Sequence, residues 1–174
     1  MLWIEGIEME SLEVQWPPHY APGNCPVHVR NELAMDVAPE TVWAWLVCAK
    51  RWPEWYKNAS NVQYLEGSSD DLAHGTRFRW KTFGVTIEST VLELVPGQRI
   101  AWDAHGLGVD AYHAWVLRRT EQGCHLLTEE TQHGWLARLG SRLMPNRMHK
   151  YHQIWLQCLR EKARKGFPPP VPTQ

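Results

Sequence analysis

Between Val27 and His133 the apolar residues recur mainly at every second position, the period of half-buried strands; beyond that point the spacing lengthens to that of helices. The first such segment, Val27 to Val37, sets Val29, Asn31, Leu33 and Met35 on one side and Arg30, Glu32 and Asp36 on the other. Ala38-Pro39 ends it and opens a helix expected to reach Ala49, because proline suits a first helical turn, where its missing N–H would be unpaired anyway. Val42, Trp43 and Leu46 give that helix an apolar face. A second short helix is expected over Trp52 to Lys57, then a short strand over Asn61 to Glu66 and a loop in GSSDDLAHG. Longer strands follow at Thr76–Phe83, Val85–Val95, Ile100–His105, Val109–Arg119 and Cys124–His133. The connections Gly84, Pro96-Gly97, Gly106–Gly108 and Gln122-Gly123 are short, so the strands form an antiparallel meander. Gly134 to Met144 is amphipathic and helical at least in part. Pro145 to Lys165 reads as a long closing helix with Met148, Tyr151, His152, Trp155, Leu159 and Lys162 on one broad stripe.

The ends of the chain break this pattern. Residues 1–26 alternate weakly and then meet the prolines of WPPHYAPGNCP, so they are expected to form an extension packed on the outside of the domain or partly disordered. The domain itself spans 27–165, and 166–174 is a proline-rich tail after Gly166.

Composition adds two points. The 174 residues suffice for one domain with a sizeable core, and eleven tryptophans exceed what such a core needs for bulk. Each indole can bury about 150–250 Å² and carries an N–H that seeks a partner. Several are therefore candidates to line a cavity for a flat or greasy ligand. The net charge of −1 hides a gradient: residues 1–71 carry 4 basic and 11 acidic side chains, residues 138–174 carry 8 basic and 1 acidic. A near-neutral total argues against nucleic acid as a partner. The basic C-terminal residues are read as the solvated end of a helix, where the macrodipole favours them. Cys25, Cys48, Cys124 and Cys158 are scattered without a CxxC pair, the first residues do not form a signal peptide, and no apolar run spans a bilayer. The expectation is a reduced, cytoplasmic protein without stable membrane insertion, its oligomeric state left open.

The motifs occur in an order that resembles a known superfamily. Ala-Pro-x-x-Val-Trp opens the first helix, and Trp-Pro-x-Trp forms the second. A Gly-x-x-Phe-x-Trp strand (Gly75, Phe78, Trp80), a Val-x-Glu-x-x-Pro-Gly-x-Arg-x-x-Trp hairpin (Val91 to Trp102) and a His-x-Trp-x-Leu strand (His113 to Leu117) follow. Over residues 27–165 the chain resembles the START-like, or SRPBCC, superfamily and within it the polyketide cyclase/dehydrase branch. The resemblance implies an α+β helix-grip fold, a curved antiparallel sheet wrapped around the long C-terminal helix with a pocket between them. It does not imply one activity, because the superfamily holds lipid carriers, aromatic cyclases, hormone receptors and co-chaperones.

On that fold, alternation selects Phe78, Trp80, Trp102, His113, Trp115, Tyr151 and Trp155 as ligand-binding residues, with His113 and Tyr151 as the polar contacts. The short helix Trp52-Pro53-Glu54-Trp55 is expected beside the pocket mouth. His113 shares its side of the strand with Trp115 and Leu117, and a buried histidine can act as general acid or base. One of Glu32, Glu129 and Glu130 is expected to point inward, although the strand phase leaves open which. His149 and His152 lie three apart on the long helix, but no HExxH motif is present and no third ligand follows from spacing, so no metal is assigned. No cofactor-binding loop and no nucleophile signature is present either. Three functions remain: a binder or carrier of a small hydrophobic or aromatic molecule, a cyclase or dehydratase using His113, and an interaction module with a filled core. A cavity lined by aromatics alone favours the first, a histidine–carboxylate pair inside the cavity favours the second, and a filled interior favours the third.

Overall fold

The computed structural model describes residues 13–66 and 70–170. Strand β1 (Val27–Met35) leads into helix α1 (Pro39–Val47) and, after one 3-10 turn, the short helix α2 (Trp52–Trp55). Strands β2 (Ser60–Glu66), β3 (Arg77–Thr82), β4 (Val85–Val95), β5 (Arg99–Gly106), β6 (Val109–Thr120) and β7 (Gly123–His133) follow, then helices α3 (Trp135–Leu143) and α4 (Arg147–Ala163). The seven strands form one antiparallel sheet in the order β1-β7-β6-β5-β4-β3-β2. Every neighbour is therefore joined by a hairpin except β1, which pairs with the last strand. This is the α+β helix-grip arrangement, with α4 across the sheet's concave face.

Local chemistry explains the hairpins. Thr82 pairs with Val85 across Phe83-Gly84, and both turn residues have positive φ (52° and 83°), the geometry of a two-residue hairpin. Phe83 is a bulky residue in a region that disfavours it. Asn58 Oδ1 holds the turn by accepting from the Phe83 N–H at 2.9 Å. At the same end of the sheet, a Cβ on Gly134 (φ 103°) would run into the Gly108 carbonyl. The Leu136 N–H donates to that same carbonyl at 3.0 Å, which fixes the start of α3 on the β5–β6 turn.

The sheet is buried on its concave face and, over β5, β6 and β7, on its convex face as well, whereas Arg77, Arg79 and Lys81 of β3 are exposed. On the concave face Trp52, Trp80, Trp102, Trp115 and Trp155 pack with Phe78, Ile100, Leu126 and Leu156. Trp155 of α4 is the hub: it stacks on Tyr56 at 4.5 Å and meets Trp52, Trp80 and Trp115 at 5.0–5.8 Å between ring centres. On the convex face Val14 and Tyr20 cover Ala101, Tyr112, Ala114, Val116 and Leu127, with Trp16 alongside. The N-terminal segment from residue 13 thus lies outside the sheet; residues 1–12 fall outside the described residues.

Two local expectations change. The first helix ends at Val47, and its buried face includes Trp45 where Trp43 was expected; Trp43 is only partly buried. Trp45 is drawn in because its indole N–H donates to the Gly166 carbonyl at 2.7 Å. The start of the C-terminal tail is correspondingly held against the domain, since Arg51 also donates to the Pro170 carbonyl at 2.8 Å.

Candidate functional site

The concave face is not completely filled. A cavity of about 200 Å³ lies between the sheet, α3 and α4. Its apolar wall includes Trp80, Ile87, Trp102, Ala104, Ala111 and Trp155, and Phe83 and Val85 close one side. Helix α3 covers it: Leu136, Ala137, Gly140 and Ser141 face the cavity, while Trp135, Leu139 and Leu143 on the opposite side of the helix are exposed. The small residues Ala104, Ala111 and Gly140 leave the space that the surrounding indoles do not occupy.

One end of the cavity is polar. His113 of β6 and Glu130 of β7 are direct cross-strand partners, and His152 of α4 reaches them from above. Glu130 Oε2 lies 3.1 Å from His152 Nε2 and 3.3 Å from His113 Nδ1. The two imidazole rings lie 4.9 Å apart and nearly parallel, at 15°. Behind them Thr128 Oγ1 sits 2.7 Å from His113 Nε2, and Gln132 Nε2 donates to Glu130 Oε1 at 2.6 Å. All three members of the cluster are buried.

Burial dominates the electrostatics here. It pushes the His113 pKa down to about 3, against the attraction of Glu130 and with help from the neighbouring His152. Burial pushes Glu130 the other way, but the imidazole of His113 and the hydrogen bonds from His152 and Gln132 outweigh it and hold the carboxyl below its ordinary range. At neutral pH the cluster therefore contains an ionised carboxylate beside a neutral His113. Hydrogen bonding at this end is incomplete: His152 Nδ1 and the indole N–H groups of Trp102 and Trp155 are buried with no partner among the described residues. Such groups are rare in native proteins.

Of the residues selected from the sequence, Trp80, Trp102, His113 and Trp155 come together in the cavity wall. Phe78 and Trp115 are fully buried, but they sit in the packed core behind that wall. Tyr151 turns aside, half-buried, with its ring against Phe83. The expected place of α2 at the pocket mouth does not hold. Trp52 is entirely buried against Phe78, Trp80 and Trp102, and neither Trp52 nor Trp55 lines the cavity. The reason is that the mouth is covered by α3, at the opposite edge of the wall.

Sequence reasoning put His152 on the inward stripe of the long helix without assigning it to the site, and it left open whether Glu130 points inward, although that was within reach. Thr120 pairs with Gly123 across a two-residue turn. Seven positions back from Thr120 is His113 and seven on from Gly123 is Glu130, so the hairpin alone sets them opposite each other on one face. Glu129 and Glu32 point away from the cavity: Glu129 accepts from Arg30 at 2.8 Å and lies 2.7 Å from His28 Nε2. His149, the other histidine weighed on α4, is exposed.

The family model for polyketide cyclase / dehydrase and lipid transport matches residues 26–164. The chain belongs to this family. Among solved structures, a hypothetical protein of Helicobacter pylori is 30% identical with a TM-score of 0.81, the match covering 87% of this chain and 96% of that one. The Zhui aromatase/cyclase of Streptomyces shares the fold at 15% identity and a TM-score of 0.67, over 80% of this chain and 94% of that one. A START superfamily protein of Mycobacterium smegmatis does so at 11% identity and 0.65, over 79% and 97%. No curated protein matches the chain in sequence. Family and fold together support a ligand-binding domain of the polyketide cyclase type. No helix among the described residues is long and apolar enough to cross a membrane.

Proposed function

We propose that this family member binds a compact aromatic or otherwise hydrophobic molecule carrying at least one oxygen, in the cavity between the sheet, α3 and α4. The observation that carries the reading is the combination of an apolar cavity of about 200 Å³ with the His113, Glu130 and His152 cluster at one end. An apolar cavity of about 150 Å³ can hold a benzene ring, so the space suits a ligand of one or two rings. Trp80, Trp102 and Trp155 supply the apolar contacts. The polar cluster of His113, Glu130 and His152 would orient a hydroxyl or carbonyl. The four cysteines are free, in keeping with a reducing cytoplasm.

A second reading has an observation of its own. Glu130 beside two histidines is the convergent histidine–carboxylate arrangement that acid–base chemistry needs, so a cyclase or dehydratase step on the bound molecule is the alternative. The cavity weighs against an interaction module with a filled core.

The test is titration with an environment-sensitive naphthalene probe, read through probe emission and tryptophan quenching. Ala111→Phe should fill the cavity and weaken binding at least tenfold, while His113→Gln should weaken hydroxylated probes more than plain hydrocarbons. Equal binding by Ala111→Phe and the parent protein would place the ligand elsewhere. Turnover of hydroxylated, enolisable aromatic ketones that is lost in Glu130→Gln would support the enzymatic reading.

A further inference from the structure

His113, Glu130 and His152 have the geometry of a metal site as well as of a hydrogen-bonded cluster. Each offers one ligand atom, and these three atoms all lie within 4.8 Å of one another. Two donors bound to one zinc ion at about 2.0–2.2 Å with a tetrahedral angle between them lie roughly 3.3–3.6 Å apart. The separations of Glu130 Oε2 from His113 Nδ1 and His152 Nε2, 3.3 and 3.1 Å, fall on or within a few tenths of that range. Drawing the donors around an ion thus needs only small side-chain movements.

The surroundings are also those of a metal centre. The three side chains come from β6, β7 and α4, and all three are buried, so the donor set is pre-organised. Metal-bound imidazoles use their second nitrogen for an outer hydrogen bond, and bound carboxylates are themselves hydrogen-bonded. His113 Nε2 has Thr128 Oγ1 at 2.7 Å, and Glu130 Oε1 has Gln132 at 2.6 Å. His152 faces Glu130 through Nε2, and its outer nitrogen Nδ1 is buried with no partner among the described residues. All three residues line the cavity. Three protein ligands with the remaining position open to a pocket is the pattern of catalytic rather than structural zinc sites.

We propose that His113, Glu130 and His152 bind one divalent transition metal ion, zinc first, with the open coordination position facing the cavity. Two imidazoles and a carboxylate suit zinc and its first-row neighbours, while magnesium and calcium prefer oxygen donors alone. The ion would present a Lewis acid to an oxygen of a bound molecule. Metal binding does not depend on the ligand reading above, because it is measured with the metal alone.

The experiment uses the full-length protein after treatment with a chelator. One equivalent of Co²⁺ should give the visible absorption of a low-coordinate site, be displaced by Zn²⁺, and shift two imidazole N–H proton resonances paramagnetically. Zn²⁺ should raise the melting temperature. Loss of an outer partner typically weakens metal binding 10–100-fold, so His152→Ala and Glu130→Gln, which remove ligands, should weaken it by ~100-fold or more. His149→Ala, three residues away and exposed, should bind as the parent does. Circular dichroism checks each fold; the near-isosteric Glu130→Gln decides if His152→Ala fails to fold, and the parent's Co²⁺ spectrum decides if both fail. A Co²⁺ spectrum no different from the aqueous ion, or equal affinity in His152→Ala, would overturn the proposal.

Discussion

Glu129 and Glu130 are neighbours on one strand, both buried, and they live in different chemistry. Glu129 faces the convex side and meets Arg30, a permanent cation whose side chain is 49% exposed, together with His28. Glu130 faces the concave side and meets only groups that can lose their charge, His113 and His152, with Gln132 as a neutral donor. The first is a structural ion pair at the edge of the solvent. The second is a carboxylate whose partners hold a proton or a metal ion, at the end of a cavity. The period of two assigns the faces, and what packs on each face assigns the role.

The contrast between the faces can be broken at several points, and the largest effect is expected in the concave core. Trp155→Ala should destabilise the fold by about 3–5 kcal/mol in urea unfolding, the usual cost of deleting a large buried aromatic. Trp16→Ala on the convex side should cost about 1 kcal/mol, because Trp16 is only half-buried. Similar values for the two would mean that the convex layer holds the sheet as firmly as α4 does.

The glutamates give the next test. Glu130→Ala should cost about 2 kcal/mol, because it strips hydrogen-bond partners from groups that stay buried. Glu129→Ala should cost about 1 kcal/mol or less, since the freed Arg30 can turn to water. The reverse order would put the structural carboxylate on the cavity side.

Acidification sharpens the same difference. His113 is held neutral in the folded chain, with its pKa lowered to about 3 from 6.5, so the unfolded chain takes up the proton first as pH falls. Stability is therefore full above pH 6.5 and should decline between there and about 3. The slope should be on the order of 1 kcal/mol per pH unit. Glu130, whose carboxyl is also lowered, acts in the same direction below pH 4.5. His113→Gln should flatten the upper part of this slope, as read from denaturant midpoints at successive pH values. An unchanged slope would mean that His113 is not the source of the acid sensitivity.

How much of this was legible depends on the range of the interaction. The order of elements, the antiparallel meander and the inward position of Trp80, Trp102, His113 and Trp155 follow from residue spacing, because strand and helix periods are local properties of the backbone. The facing of His113 and Glu130 was legible too, since a two-residue turn fixes the register of both strands. Phe78 and Trp115 show the limit: alternation places them on the correct face, yet whether an inward side chain meets a void or another ring depends on neighbours from β3, β5, α2 and α4 together. Tyr151 and His152 show it more sharply. Both belong to the expected stripe on α4, but the rotation of that helix on the sheet decides that His152 enters the cluster while Tyr151 turns toward Phe83. That rotation is set by packing around Trp155 and by Asn31, whose side chain donates to the His149 carbonyl at 3.1 Å and to Gln153 at 2.9 Å. The sequence by itself therefore determined the elements, the pairing within the meander and the alternation of faces along each strand, because those depend on local periods and turns. Only the tertiary structure decided where the core leaves space and which histidine reaches Glu130, because both depend on how surfaces distant in the chain pack together.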